Sequence, residues 1–568
     1  MNHDLPGPPG YCSSQLIPYL GNKRSLLPRL HPVLARLAEG FEEPRFMDPF
    51  AGSGAVSRLA RAMGMRVFSN DWEPYSQAIN SCWLGLCPED ISMAFGSRAG
   101  LDEFLDDWNV MHPLDKTGRV PESARSEPYI ARWYAPSMTA EPRLGEERLF
   151  YTAENAVFVD RVRTRIENEY PDPKPGTSDG IRRCVLMGTL LLEAAVHTNT
   201  SGVFKAYHNG FGGHGKDALS RILGRMVLEA PILPSMQRAL TSGVDAAVFM
   251  QTSSADIAYF DPPYNQHQYG SNYHMLNTIL RWDGRPVPMD SSPRHGFSAK
   301  AGIPESWKAT RSDFCVKSKA RSAIEAVLNS CDAAVLVFSW SADGHLHAEE
   351  LINILEQRGR VEIVALDYVS YRGGRQSASR NPNSQEYLFL VDTRNVTNKP
   401  AHATKRLGEL VAADAALRST YDPEKVRTVF FRKTSSGMRM ENQASLFFNP
   451  ELRRPSSMAR DVIDGLSPHD RTRFLEMLSS CACRDVVDEL SVLIVMAQEL
   501  LQTGKRTRAV QVLREVPRLM RKLAHDKYSI QFQEILGKFR NSCEAVDDKR
   551  LADEISNLER LMALRTCH

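Results

Sequence analysis

The sequence predicts an α/β protein on a Rossmann-like sheet, interrupted by an inserted domain and followed by a helical C-terminal extension. Three observations lead there. Residues 45–71 run strand, glycine turn, helix, strand, acid, the order of a βαβ nucleotide-binding unit. A second β/α alternation starts near Ala247, and after about Asn395 the apolar residues fall at helical spacing.

Taken in order, Arg45–Met47 is a short apolar strand, and DPFAGSGAVSRLARAMG turns from it into a Leu/Ala/Met helix. Met65–Ser69 is a second strand, ended by Asn70 and Asp71. Residues 96–245 lose the alternation and mix helices with the Pro-rich YPDPKPGTSDG and the glycine-rich KAYHNGFGGHGK, so they read as the insert between a first half, 1–95, and a second half, 246–395. In that second half Ile257–Phe260 is a strand that meets DPPYN, and HMLNTILRW is a helix. Ala333–Phe338 is a continuous apolar run, as expected of a strand covered on both faces. VEIVALDY and EYLFLV close the sheet, joined by the basic loop YRGGRQSASRNPNSQ. In the tail, 396–568, Leu490, Leu493, Ile494, Ala497 and Leu501 share one helical face, with Glu499, Lys505 and Arg508 outside it. The tail carries no catalytic signature, and its expected role is structural or the binding of a protein partner.

Composition sets limits on function. At 568 residues the chain exceeds one ordinary core. Hydrophobic residues at 42% and charged residues at 24% exclude global disorder. A net charge of +2 means that any nucleic-acid contact must come from local basic patches. The 10 cysteines are scattered; the closest pair, Cys481 and Cys483, suits neither a redox CxxC nor a zinc knuckle, so no metal site is expected and the compartment expected is reducing and cytoplasmic. The most apolar run, Cys184–Val196, contains Glu193 and is shorter than the roughly 20 residues of a membrane span, so no membrane association is expected.

Two stretches carry chemistry. In FMDPFAGSG, Gly52 and Gly54 lie between a strand and a helix, where bare backbone admits a ligand to free helix N-terminal amides. Asp48 ends that strand, and Asp71 stands where a ribose-binding acid is expected. The third glycine of a dinucleotide site is missing, which fits an adenosine-containing ligand without a pyrophosphate. In IAYFDPPYN, two prolines force a strand to stop in a stiff turn that holds Asp261 and Tyr264. Upstream, PYLGNKR offers Tyr19 as a ring to stack on a flat group or pack on a cation, and Lys23 as a cation to reach a carboxylate.

Together PYLGNK, DPFAGSG with NDW, and DPPY resemble the alpha-group, Dam-like family of adenine-specific DNA methyltransferases, over about residues 15–395. The resemblance implies S-adenosylmethionine as cofactor, with the cofactor half first, a target recognition domain in the middle and the DPPY half last. It implies that Tyr19 and Lys23 belong to the N-terminal cofactor motif, although many members carry tryptophan where Tyr19 stands. It implies that Asp48, Phe50, Gly52 and Gly54 lie under the methionine part of the cofactor, that Asp71 binds ribose hydroxyls, and that Asp261, Pro262, Pro263 and Tyr264 form the catalytic tetrapeptide. NTSGVFKAY and FSWSADG also look like family segments, less specifically.

The chemistry implied is methyl transfer to the 6-amino group of adenine in duplex DNA. That amine is a poor nucleophile, and acceptors on Asp261 and on the Pro262 carbonyl would steer its lone pair toward the methyl group. The base must first leave the duplex, and Tyr264 offers a stacking face. Arg372, Arg375 and Arg380 suit phosphate contacts, and Lys205, His208, Asn209 and Lys216 suit base or backbone contacts. The partners expected are double-stranded DNA and a cognate restriction enzyme. Alternatives are amino methylation of RNA, cytosine or a protein glutamine, and a non-catalytic DNA-binding regulator with a methyltransferase shell. No acid-acid-lysine cluster in the tail supports a nuclease.

Overall fold

A computed structural model of the chain describes residues 5–112, 129–212, 218–285, 300–340, 344–369, 383–395, 401–431, 440–523, 529–546 and 548–566. It divides into two compact units, with the described residues up to 403 in the first and those from 404 in the second.

Among the described residues the first unit holds seven strands: β1 Arg45–Asp48, β2 Arg66–Asn70, β3 Leu240–Ser242, β4 Ile257–Phe260, β5 Val335–Trp340, β6 Arg360–Val369 and β7 Asn383–Asp392. Their order in one sheet is β3-β2-β1-β4-β5-β7-β6. The first five are parallel, and β7 runs antiparallel between β5 and β6. Parallel strands are stable when both faces are covered, and these are. Phe46, Val67, Ile257, Tyr259, Val335 and Val337 pack with α1 (Leu27–Ala38) and α2 (Ala55–Ala62), while the alternate residues Met47, Phe68, Ala258, Phe260, Leu336 and Phe338 are equally buried on the other face. The sequence reading placed six of these strands and missed β3. That strand has three partly or fully exposed residues, and it is held as an edge by pairing with β2 instead of by an apolar pattern of its own.

Residues 96–245 share a core with the flanking halves. Phe158 and Val162 of the Ala153–Glu169 helix and Leu186 and Leu190 of the Ser178–Val196 helix join Tyr75, Ile79 and Trp83 of α3 (Pro74–Trp83) and Leu276 in one cluster. The Ser178–Val196 helix lies along α3 and α4 (Pro88–Phe95), so the segment before β3 is packed on the helix that comes after β2. The second unit is helical, with one apolar cluster over 413–481 and another over 490–558. Leu490, Leu493, Ile494 and Ala497 are buried there, with Leu501 against them, and Glu499, Lys505 and Arg508 are exposed. No helix among the described residues is long and apolar enough to cross a membrane.

Polar clamps fix the strands around β1. At the N-terminal ends of β1 and β4 the Asp256 carboxylate accepts from the Arg45 backbone N–H at 2.8 Å and from its guanidinium at 3.0 and 3.1 Å. Arg61 of α2 is fully buried and donates to the carbonyls of Gln237, Trp83, Leu86 and Met236 at 2.9–3.2 Å, tying α2 to the turn after α3 and to the approach to β3. Arg61→Ala would strip that donor from two buried and two partly buried carbonyls, of which Trp83 keeps the Tyr11 hydroxyl, so the urea midpoint of the protein should fall by an amount equivalent to about 3–5 kcal/mol. Arg36→Ala, which breaks the exposed pair with Glu362, should change it by less than about 1 kcal/mol.

Candidate active site

The C-terminal ends of β1, β2 and β4 open on one edge of the sheet, beside the β1/β4 junction where the strand order reverses. A cavity of about 500 Å³ lies there, lined by residues 19–23, the loop 48–53, residues 70–73, the corner 261–265 and Glu386.

The loop after β1 is shaped by its glycines. Gly52 and Gly54 have φ of 52° and 70°, a region costly for other residues. A Cβ on Gly52 would stand 2.7 Å from the Tyr19 ring, and one on Gly54 would stand 2.1 Å from Asn80 Oδ1. The loop is also tied from below. Gly52 N–H donates to Asp71 Oδ2 at 2.7 Å, and the Gly52 carbonyl accepts from Ser76 Oγ at 2.5 Å and Asn80 Nδ2 at 3.2 Å. Asp48 accepts from the Phe50 backbone at 3.2 Å and from Ser57 Oγ at 2.7 Å. Burial raises both acids, Asp48 to about 7 and Asp71 to about 6, against the backbone hydrogen bonds that favour their ionised forms. Beside them Trp72 lines the cavity with 39% of its surface exposed, and Phe50 meets Phe314 edge-on, with centroids 5.0 Å apart.

The corner after β4 is held by a charge buried with it. Lys23 is 6% exposed, and its Nζ lies 2.9 Å from Asp261 Oδ1, 2.6 Å from Glu386 Oε1 and 3.4 Å from the Tyr264 hydroxyl. Burial works against the Lys23 ammonium, but Asp261 and Glu386 outweigh it and raise its pKa. The Tyr264 hydroxyl bonds Asp261 and lies 2.9 Å from Ser339 Oγ, and Ser339 in turn bonds Glu386. Burial lifts the Asp261 carboxyl to about 6; Lys23 pulls it down, and the like charge of Glu386 pushes it up.

The sequence-predicted residues Tyr19, Lys23, Asp48, Phe50, Gly52, Asp71, Asp261, Pro262, Pro263 and Tyr264 all line this cavity, and Gly54 closes the loop behind it. Tyr19 is flanked by the rings of Tyr269 and Tyr273, 5.1 and 5.2 Å away and nearly parallel, so its stacking partners within the chain are aromatic. The cation lies elsewhere: Lys23 is 5.1 Å from the Tyr264 ring centre. Lys205 is exposed, and its charge adds to burial in lowering the pKa of His267 on the cavity wall. His208 and Asn209 lie in a loop folded around Asn199, whose Nδ2 donates to the carbonyls of Leu149, His208 and Gly210; Asn209 accepts from Lys300 at 3.4 Å. Lys216, Arg372, Arg375 and Arg380 lie outside the described residues. Sequence reasoning gave no role to Ser339, although it lies in the family-like FSWSADG, nor to Glu386. The signal available was a hydroxyl and an acid inside the apolar runs VLVFSW and EYLFLV, where a buried polar group needs a partner.

Comparisons with known proteins place the chain beside DNA methyltransferases. The family model of D12 class N6 adenine-specific DNA methyltransferases matches residues 19–107 and 130–294. The Type II methyltransferase M.NlaIII of Neisseria lactamica is 27% identical over 382 residues, covering 66% of this chain and 98% of that protein. The Type II methyltransferase M.CviAII of Paramecium bursaria Chlorella virus 1 is 28% identical over 381 residues, again 66% of this chain and 98% of the relative. The Type II methyltransferase M.FokI of Planomicrobium okeanokoites is 24% identical over 394 residues, 68% of this chain and 54% of the relative. Both matched blocks contribute walls to one cavity at the β1/β4 junction, so the likeness to the D12 class of N6 adenine-specific DNA methyltransferases, over residues 19–107 and 130–294, takes in the cavity itself.

Proposed function

We propose that the chain transfers a methyl group from S-adenosylmethionine to the 6-amino group of adenine at a specific sequence in double-stranded DNA, as the modification enzyme of a restriction–modification pair. The observation that carries this reading is the single cavity shared by the glycine loop, Asp71 and the DPPY corner. The relatives named as Type II methyltransferases, two of them covered over nearly their full length, support the restriction–modification setting.

The cavity fits the cofactor in shape and in donors. Glycine at 52 and 54 lets the Tyr19 ring and the Asn80 amide pack directly on the loop and hold it under the cavity, and the half-exposed Trp72 beside Asp71 offers a ring face next to an acid that can take ribose hydroxyls. Tyr19, Asp48, Phe50, Gly52, Gly54, Asp71 and Trp72 would hold S-adenosylmethionine, which when bound supplies an electrophilic methyl group on a sulfonium. The chain's own residues do the rest. Asp261, held in place by Lys23 and the Tyr264 hydroxyl, accepts one hydrogen of the amine, and the Pro262 carbonyl accepts the other. The lone pair is then steered out of conjugation by acceptors that do not move, because two prolines stiffen the corner. The Tyr264 ring faces the flipped base while its hydroxyl end stays anchored on Asp261 and Ser339. Lys205, His208 and Asn209, in the segment 199–210, are proposed to reach the DNA on the corner's side, and Lys216, Arg372, Arg375 and Arg380 to extend that contact. Residues 96–245 are proposed to read the target sequence.

Two outcomes test the reading. Gly52→Ala and Gly54→Ala each put a methyl group where a ring or an amide already stands and force an L-residue to positive φ. Each should weaken S-adenosylmethionine binding by at least about tenfold, read by titration calorimetry, a cost of about 1.4 kcal/mol or more. At the corner, Asp261→Ala should lower the single-turnover rate of adenine methylation by at least about a hundredfold while a 2-aminopurine at the target position still brightens on binding. Tyr264→Ala should lose about 1–3 kcal/mol of base capture, and Tyr264→Phe should keep capture but slow transfer, since the ring remains and the hydroxyl bonds to Asp261 and Ser339 do not. Methylation at the wild-type rate by Asp261→Ala would refute the mechanism.

A further inference from the structure

The group behind the DPPY corner has an odd proton count. Four oxygens run in a row from the cavity wall into the sheet: Asp261 Oδ1, the Tyr264 hydroxyl, Ser339 Oγ and Glu386 Oε1. Three contacts join them, yet only the two hydroxyls carry protons when both carboxyls are ionised. If Tyr264 donates to Asp261 and Ser339 to Glu386, the 2.9 Å contact between the hydroxyls has no proton in it. Lys23 does not fill it, because its three N–H groups are used on Asp261, Glu386 and the Tyr264 oxygen. With Lys23 charged the set then has a net charge of −1 in surroundings where Lys23, Ser339 and Glu386 are 6%, 0% and 2% exposed. One more proton completes all three contacts and makes the set neutral. The register keeps it together: Ser339 of β5 pairs with Leu388 of β7, and Glu386 is the diagonal neighbour on the same face.

We propose that Glu386, acting through Ser339 and Tyr264, is the far end of a proton sink that takes up the proton released by the amine on methyl transfer. This rests on the methyl-transfer reading above. As the nitrogen lone pair forms the N–CH3 bond, the S–CH3 bond breaks with its electron pair staying on sulfur, and the amine becomes a cation. One N–H proton passes to Asp261. The chain then reorients, Asp261 donating to Tyr264, Tyr264 to Ser339 and Ser339 to Glu386, or one step further with the proton on Glu386 and the hydroxyl bonds reversed. Charge balances throughout: a sulfonium and a set at −1 become a neutral thioether, a neutral methylamine and a neutral set. Before the reaction the same −1 charge favours the sulfonium, and the charge of Glu386 keeps Asp261 basic enough to receive the proton. Glu386 does not touch the base, so it is a positioning residue.

The groups facing this set are Lys23 from the turn before α1, Tyr259 of β4, Asp48 of β1 and Tyr269 after the corner; Lys23 alone is cationic, and the Tyr259 hydroxyl, which bonds Ser339, brings one proton and one further contact, so the row stays one proton short. The test uses the full chain and the variants Glu386→Gln, Ser339→Ala and the double mutant. Ser339→Ala leaves the Lys23–Glu386 pair in place and cuts the chain, together with the Ser339 bond to Tyr259. Each single variant should slow single-turnover methylation by at least about tenfold, and the double mutant should be no slower than the worse single one. The acidic limb of the rate profile should move to lower pH in Glu386→Gln, where a like charge beside Asp261 is lost, and stay near its place in Ser339→Ala. Without DNA, binding of S-adenosylmethionine near pH 6, followed by calorimetry in buffers of different ionisation enthalpy, should release protons in the wild type and fewer in Glu386→Gln. Ser339→Ala at the wild-type rate, or losses that multiply in the double mutant, would overturn the sink. Failure of the wild-type chain to bind S-adenosylmethionine at all would overturn the cofactor reading instead.

Discussion

The pairing of β1 with β4 is the constraint on which the site depends. Both strands are parallel, so their C-terminal ends leave the sheet on the same edge, and the two segments they lead into must meet there. β1 leads into a glycine loop, and β4 leads into a proline corner carrying an acid and a ring. The long segment between them cannot separate the two, because register at Phe46–Ile257 and Met47–Ala258, and the Arg45–Asp256 clamp below it, set how far apart they emerge.

A second consequence is electrostatic. The cavity gathers Asp48, Asp71, Glu73 and Asp261, all of them raised by burial, against the one buried ammonium of Lys23. A surplus of carboxyl groups out of water is unfavourable until a positive charge enters. A sulfonium is such a charge, and it leaves as a neutral sulfide. On the cofactor reading proposed above, the acids at the edge of this sheet would favour the sulfonium form of the cofactor over its neutral, spent form.

Lys23 links the two halves of this arrangement. It comes from the turn before α1, far upstream of the corner in sequence, and its ammonium touches β7 as well as the corner. The three segments it joins are therefore coupled. A shift of β7 in the sheet would move Glu386, unbalance Lys23 and change the charge on Asp261, so the antiparallel end of the sheet takes part in setting the chemistry of the parallel part.

Much of this was legible in the sequence for identifiable reasons. Six strands showed because parallel strands covered on both faces read as short apolar runs, and β3 did not because a three-residue edge strand has no such pattern. The glycine loop and the corner showed because Gly52, Gly54, Pro262 and Pro263 impose backbone geometry locally. Residues 96–245 looked like a separate insert, since loss of β/α alternation is visible along a chain, whereas the packing of the Ser178–Val196 helix on α3 is not. Ser339, inside FSWSADG, and Glu386, at the start of EYLFLV, carry no local signal that gives either of them a partner. What the sequence by itself determined is the set of local turns and the chemistry placed on them, because these depend on φ restrictions and side-chain type. What only the tertiary structure decided is which buried charges face one another, because the pairing of Lys23 with Asp261 and Glu386 comes from strand order and register, and no local property of residues 23, 261 or 386 contains it.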